Sequence, residues 1–284
     1  KIGRFPPPIR KNRCLMNQEN TSSRSSLTLL ISVFFFWGFV AASNTILIPI
    51  FKHHFTLLQW QSQLVDFAFY AAYFIGSLIY FLISYFLGDP LARIGYKRGL
   101  IYGLLISAVG ALGFIPAAGA QSFGLMLSSL FIVALGFALQ QIVANPYVIA
   151  LGDPATGAHR VSLAGGINSF GTTIGPIVVA LALFGTTAAV TDDQIAALSL
   201  NKVIVLYTCV GGLFITAAML FHFAKKVPAG IQSESTEKAD KALYTLLIMT
   251  GLLIMMFVPV FNSYKTDLTN GTEAEKLAMN AYRM

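Results

Sequence analysis

Amide side chains recur at helical spacing inside stretches of the chain that carry no charge. Gln141 and Asn145 are four residues apart, and so are Asn168 and Thr172, so each pair shares one face of a helix. Amides and hydroxyls both donate and accept hydrogen bonds. Such faces suit a ligand rich in hydroxyl groups, with aromatic rings against its C–H faces. The residues predicted to bind it are Trp37, Asn44, Thr45, Tyr70, Gln141, Asn145 and Asn168.

Each of these side chains also has a purely structural interpretation. Polar residues hold membrane helices together through interhelical hydrogen bonds. Taken singly, the residues leave both roles open, whereas the whole set favours a polar cavity. Pro146, beside Asn145, marks either a broken helix at a binding site or a simple kink.

Asp66 is the one carboxylate that directly precedes an apolar stretch, and Tyr70 and Tyr73 follow it at helical spacing. It serves either as a proton or cation site or as a solvated residue at a helix N-terminus, which the helix dipole favours. No cofactor is expected apart from a coupling ion, H⁺ or Na⁺. The four histidines lie in different loops or helix ends without the spacing of metal ligands, so we predict neither a metal site nor an enzyme.

The elements that would position these residues are membrane-spanning helices. A helix needs about twenty apolar residues to cross the hydrocarbon core. Charged residues make up only 11% of the chain, against about 25% in average soluble domains. We therefore predict an all-α, multi-pass transmembrane bundle and exclude a soluble enzyme. The seven stretches without Asp, Glu, Lys or Arg are 27–51, 67–87, 99–119, 123–151, 163–187, 203–224 and 242–261.

The net charge of +7 is explained by membrane topology rather than by nucleic-acid binding, which we do not expect. Cytoplasmic loops of membrane proteins retain Lys and Arg. With the N-terminus in the cytoplasm, 14 of the 19 basic residues fall in cytoplasmic segments and five fall outside. The opposite orientation would reverse that bias, so a cytoplasmic N-terminus is predicted.

Loop lengths and charge divide the chain into four parts. Residues 1–15 are rich in proline and basic residues, and Met16 is a plausible natural start. We interpret 1–15 as upstream, non-native sequence, the alternative being a disordered basic tail. The predicted order is a cytoplasmic tail (1–26), a six-helix half (27–226), a cytoplasmic linker (227–241) and a seventh span that opens a truncated second half (242–284).

Five strings of the sequence carry a family resemblance. They are WGFVAASNTILIPIF (37–51), QSQLVDFAFYAAYFIGS (61–77), GDPLARIGYKRG (88–99), QQIVANPYVIALGDP (140–154) and LAGGINSFGTTIGP (163–176). They resemble the fucose and glucose/galactose permeases, the sugar:proton symporter branch of the major facilitator superfamily. The ANPYV string followed by NSFG is the specific part, and the resemblance runs from residue 29 to residue 227.

This resemblance implies twelve helices in two pseudo-symmetric halves that alternate access to a sugar at their interface. The substrate would be a monosaccharide such as L-fucose, glucose or galactose, moved by cation-coupled symport across the inner membrane. The partners implied are the lipid bilayer, the sugar and the C-terminal half of the same transporter.

Two positions that are acidic in the fucose:proton type are neutral here. Thr45 stands where that type has an Asp in its first helix, and Gln141 stands where it has a Glu in its fourth. Neither side chain can carry a proton. Coupling would then use Asp66, a residue of the second half, or sodium; otherwise the protein is a uniporter.

The string at 88–99 resembles the gating loop of the superfamily. The acid that usually precedes its first arginine is Ala92 here, which puts the gating salt bridge in doubt. The residues that match the loop are Arg93, Gly95, Lys97 and Arg98.

A seven-helix receptor or sensor is the rival from another class, and a transporter of a non-sugar solute is the second alternative. A receptor would usually place its N-terminus outside, against the charge bias. A retinal receptor would also need a lysine in the last span, and 242–261 contains none.

Overall fold

The computed structural model describes residues 10–187, 190–224, 227–230 and 240–265, and over these ranges the protein is helical, with short connections. The helices are α1 (Arg10–His54), α2 (Gln59–Leu87), α3 (Pro90–Ile94), α4 (Tyr96–Leu112), α5 (Phe114–Gly119), α6 (Phe123–Ala150), α7 (Gly157–Phe184), α8 (Asp192–Ala196), α9 (Leu200–Phe223) and α10 (Asp240–Lys265). A single 3₁₀ turn, Pro154–Thr156, precedes α7 within the described part.

Seven helices in the described ranges are long and apolar enough to cross a membrane. Each contains most of one predicted stretch, and the third crosses as α4 followed by α5. The all-α, multi-pass prediction is therefore confirmed. The spans are Ser26–His54, Gln59–Leu87, Tyr96–Gly119, Phe123–Ala150, Gly157–Phe184, Leu200–Phe223 and Leu243–Val260.

Helices α1 and α7 form the closest pair in the bundle. A Cβ built on Gly38 would lie 2.0 Å from the carbonyl oxygen of Asn168. One built on Gly171 would lie 2.2 Å from the carbonyl oxygen of Phe35. Backbones this close leave no room for any side chain, which is why small residues mark the contact.

Helix α4 packs against both α6 and α9. Glycines again permit the approach: a Cβ on Gly110 would lie 2.4 Å from the backbone nitrogen of Val133. Half of the most apolar 18-residue stretch of the third span, Tyr96–Gly119, is buried. Helix α2 packs on α6 along a single face that contains Val65, Phe69 and Ala72.

Helices α2, α7 and α10 keep large apolar surfaces exposed. Of the most apolar 18 consecutive residues, 17% are buried in α2, 22% in α7 and none in α10. In a membrane protein such surfaces face lipid or further helices, since every backbone group is already satisfied within the helix. The described bundle therefore offers open faces on its second, fifth and seventh spans.

The structure extends α1 back to Arg10, so residues 10–25, which the sequence assigns to the tail, are helical. Residues 1–9 of that tail lie outside the described residues, as do most of the predicted linker (231–239) and the end of the second-half segment (266–284). The first four linker residues, 227–230, are described.

Candidate functional site

The polar residues of α2 and α6 meet near the middle of both spans. The Nε2 of Gln141 donates a hydrogen bond to the hydroxyl oxygen of Tyr73, 3.2 Å away. One turn further along α6, Asn145 is exposed, and one turn from Tyr73 along α2, Tyr70 is 68% exposed. These four side chains define the open polar face of the bundle.

Asp66 lies one turn before Tyr70 on α2 and is partly buried. It is the eighth residue of the helix, well inside the span that begins at Gln59, so it is not a residue of the helix terminus. No described group donates a hydrogen bond to its carboxylate. A carboxylate in that position is costly in a membrane unless a cation, a proton or water reaches it.

Asn168 connects two helices. Its Nδ2 donates to the backbone oxygen of Phe34 on α1, at 2.9 Å, and its own backbone oxygen accepts from the hydroxyl of Thr172. The structure thus shows the interhelical role for this asparagine. Thr45, on α1, is exposed and donates to the backbone oxygen of Ala42.

Trp37 belongs to a buried chain of hydrogen bonds that links three helices. Its indole Nε1 donates to the Oε1 of Gln140 at 2.8 Å. The Nε2 of Gln140 donates to the hydroxyl of Ser107 at 2.8 Å, and that hydroxyl donates to the backbone oxygen of Val133. Trp37 is only 3% exposed, so in this structure it lies inside the bundle rather than on the open polar face.

Asn44 is also enclosed, between α1 and α9. It is 2% exposed, and its Oδ1 accepts a hydrogen bond from the Tyr207 hydroxyl at 3.1 Å. Its Nδ2 is buried without a partner among the described groups. Tyr207 in turn stacks on Phe114, with ring centroids 3.7 Å apart.

Of the seven residues predicted to bind ligand, Tyr70, Asn145 and Thr45 are exposed, and Trp37 and Asn44 are buried against neighbouring helices. Gln141 and Asn168 are partly buried, and each donates a hydrogen bond to a neighbouring helix. Their binding roles remain predictions. Periodicity placed them on helices but could not say which neighbour each face would meet.

The gating-loop residues form a compact turn between α2 and α4. The Asp89 carboxylate accepts from the backbone N–H of Leu91 at 2.9 Å and so caps α3, and Gly95 takes a φ of 80°, which favours glycine. Arg93 donates to the backbone oxygen of Leu87. The Lys97 ammonium donates to the backbone oxygen of Ala224 at 2.9 Å, while Arg98 is exposed.

Sequence reasoning did not assign a role to Gln140, Ser107 or Tyr207. Each is a polar group in an apolar span, which is the signal that identified Gln141 and Asn145. Ser107 and Tyr207 stand alone on their helices, without a polar neighbour at helical spacing, and Gln140 points away from the face that Gln141 shares with Asn145.

Comparisons with known proteins identify sugar transporters that are similar to this chain. A glucose/galactose transporter of Brucella abortus is 35% identical over 263 residues, which are 90% of this chain and 61% of that protein. An L-fucose-proton symporter of Escherichia coli is 40% identical over 162 residues, 56% of this chain and 35% of that protein. No family model matches the chain.

Solved structures of the same kind of transporter also match this chain. The crystal structure of the major facilitator transporter FucP in the outward conformation matches with a TM-score of 0.60 and 30% identity, covering 76% of this chain and 53% of that one. A variant of the E. coli fucose:proton symporter FucP matches with a TM-score of 0.60 and 27% identity, over 80% of this chain and 56% of that one.

The bundle is thus that of a major facilitator superfamily protein. Within the superfamily, the chain is similar to glucose/galactose transporters and L-fucose-proton symporters. It spans about three fifths of the length of the Brucella transporter that it matches.

Proposed function

We propose that this chain is part of a secondary transporter that moves a monosaccharide, such as glucose, galactose or L-fucose, by alternating access in the inner membrane. The distribution of Lys and Arg supports an N-terminus in the cytoplasm. The observation that carries the proposal is the Gln141–Tyr73 contact, because it joins two polar helix faces in the middle of an otherwise apolar bundle.

The sugar would bind on the open polar face. Gln141 and Asn145 supply amide donors and acceptors for sugar hydroxyls, and the rings of Tyr70 and Tyr73 supply apolar faces and phenolic hydroxyls. The face is open because Tyr70 and Asn145 are exposed. The C-terminal half expected from the family would close it from the other side. In this proposal the chain is a component of a transporter and not an enzyme.

Asp66 is the candidate for cation coupling. The neutral residues Thr45 and Gln141 cannot bind a proton, whereas Asp66 is a partly buried carboxylate on the same helix as Tyr70 and Tyr73. A proton or Na⁺ bound there would neutralise its charge inside the membrane. Cation binding and sugar binding would then act on one helix, so that each could change the affinity for the other.

The first test is uptake of labelled glucose, galactose, mannose and L-fucose by the gene product in cells without their own permeases. Gln141→Ala and Tyr70→Ala should each reduce uptake at least tenfold at a low sugar concentration. Tyr85→Ala is the matched control, because Tyr85 is also exposed on α2 but lies four turns from Tyr70. Normal uptake in both site variants would contradict the proposed face. Absence of uptake of every sugar, with normal insertion, would point to a non-sugar solute or a sensor.

Coupling is tested separately with Asp66→Asn, which keeps the shape and removes the charge. Accumulation of sugar against its gradient should be lost, while exchange of internal for external sugar should persist. Asp193→Asn, at an exposed position of α8, is the control. Accumulation that survives in Asp66→Asn would move the coupling site to another residue.

A further inference from the structure

The residues that follow the sixth span do not leave the bundle at once. Residues 227–230, here called the linker segment, lie against the adjacent ends of α4 and α6. Val227 is 6% exposed and belongs to the main hydrophobic core. Its backbone N–H donates to the oxygen of Ala224 at 3.1 Å, which turns the chain back towards the helices.

Two residues of the bundle bind the linker segment through its backbone. The Tyr147 hydroxyl donates to the backbone oxygen of Pro228 at 2.5 Å. The backbone N–H of Lys97 donates to the oxygen of Ala229 at 3.2 Å. The Lys97 ammonium also donates to the carbonyl of Ala224, the C-cap residue of α9, where a cation is favoured by the helix dipole.

Gly230 ends the segment in a conformation that favours glycine. Its φ is +67°, which costs other residues steric strain. A Cβ at this position would lie 2.9 Å from the Tyr96 ring and 3.1 Å from the Tyr147 ring. The backbone therefore rests directly on two aromatic side chains, and a larger residue would have to lift it off.

We propose that the linker segment is an anchored part of the first six-helix bundle, and that Tyr147 and Lys97 are the positioning residues that hold it. The first bundle, as an anchored unit, then extends to Gly230. The anchor does not depend on which solute is carried.

The anchor also reaches the candidate binding face. Tyr147 is two residues from Asn145, and Pro146 between them has no N–H for the helix ladder. A hydrogen bond from Tyr147 to the linker segment restrains this locally weakened part of α6 from one end. Lys97, in the GDPLARIGYKRG string, and Tyr147, in the ANPYV string, thus both bind the linker segment.

Thiol labelling tests the anchor directly. In a background of Cys14→Ser and Cys209→Ser, Val227→Cys and Ala229→Cys are made singly and the protein is reconstituted in nanodiscs, where both ends of the bundle face solution. Cys at 227 should react with a polar maleimide at least tenfold more slowly than Cys at 229, because Val227 is buried and Ala229 is exposed.

Adding Tyr147→Phe should speed labelling at 227 about fivefold, the effect of losing one ordinary hydrogen bond. Tyr85→Phe, which changes a tyrosine with no contact to the linker segment, should leave the rate unchanged. Leu198→Cys, buried at the opposite end of the bundle, should stay protected in Tyr147→Phe, which separates local release from general loosening.

Gly230→Ala provides a second variant that alters no membrane-spanning residue. It should also speed labelling at 227, and Lys97→Cys with Ala229→Cys should form a disulfide under mild oxidation. Equal labelling rates at 227 and 229 in the otherwise unaltered background would overturn the proposal. So would unchanged protection of 227 in both Tyr147→Phe and Gly230→Ala. None of these readouts requires sugar uptake, so the anchor and the proposed function can fail independently.

Discussion

Gln140 has no exposed surface, and both the oxygen and the nitrogen of its amide form hydrogen bonds. It accepts from Trp37 on α1 and donates to Ser107 on α4. Interhelical hydrogen bonds in membranes contribute about 0.6 kcal/mol on average, but here one side chain serves two partners. Removing it also leaves a buried indole N–H without an acceptor.

We therefore expect Gln140→Leu to lower the free energy of unfolding by about 1–2 kcal/mol. The measurement is thermal unfolding in detergent, followed by loss of helical circular dichroism. Ser128→Ala, which removes an exposed hydroxyl bonded within its own helix, is the control and should change little. A Trp37→Phe, Gln140→Leu double variant should lose less than the sum of the two single losses. Strict additivity would show that the two side chains do not interact.

At this scale the sequence predicted the residue types better than their surroundings. The open polar face contains Gln141 and Asn145, as their spacing indicated. Trp37 and Asn44 were proposed for the same site, yet each lies against a neighbouring helix. A helical wheel identifies a shared face but does not say which helix will cover it, and that depends on packing across the whole bundle.

Among the helices, the α1–α7 pair is the one most sensitive to added volume. Gly171→Ala places a methyl group 2.2 Å from the Phe35 carbonyl oxygen, so the helices must separate. Overpacking of this kind costs about 1–3 kcal/mol. Gly165→Ala on the same helix meets nothing within 4 Å and should be neutral or slightly stabilising, because alanine favours helix over glycine.

The two alanine variants should therefore differ clearly in melting temperature and in the yield of inserted protein. If Gly171→Ala were as stable as Gly165→Ala, α1 and α7 would have to be further apart than the structure places them.

The number of spanning helices was predictable because bilayer thickness sets a minimum length for every span. The residues at which the helices begin and end were less predictable. Helix α1 begins at Arg10, well before its apolar stretch, and hydropathy carries no information about a polar helical extension. Hydropathy did not show the break between α4 and α5 at Gly113, although Gly113 and Pro116 are residue types that interrupt helices.

For the molecule as a whole, the distribution of basic residues predicts which ends of the helices face the cytoplasm. A cysteine at Gln121, in the turn between α5 and α6, should react with an impermeant maleimide added outside intact cells. A cysteine at Asp153, in the loop before α7, should react only after the membrane is opened. Both experiments use the Cys14→Ser, Cys209→Ser background. The reverse pattern would place the N-terminus outside and favour the receptor interpretation.

The linker segment makes a second prediction at this scale, which depends on the proposed transport. If the linker segment stays bound to α4 and α6 throughout the transport cycle, a disulfide between Lys97→Cys and Ala229→Cys should have little effect. Sugar uptake should then stay within about twofold of that of the reduced protein. Uptake that stops on oxidation and returns with a reductant would mean that the segment must detach during transport. The comparison needs only one sample, measured before and after reduction.

Trp37 gives the bundle an optical property. The chain has two tryptophans, so Trp60→Phe would leave Trp37 as the sole indole emitter. Its ring is enclosed, and its N–H is held by Gln140 on the helix that carries Gln141 and Asn145. Emission should therefore lie at short wavelength and resist aqueous quenchers. A shift in the emission wavelength or a change in quenching when sugar is added would report movement of α1 against α6 in real time, without any attached dye.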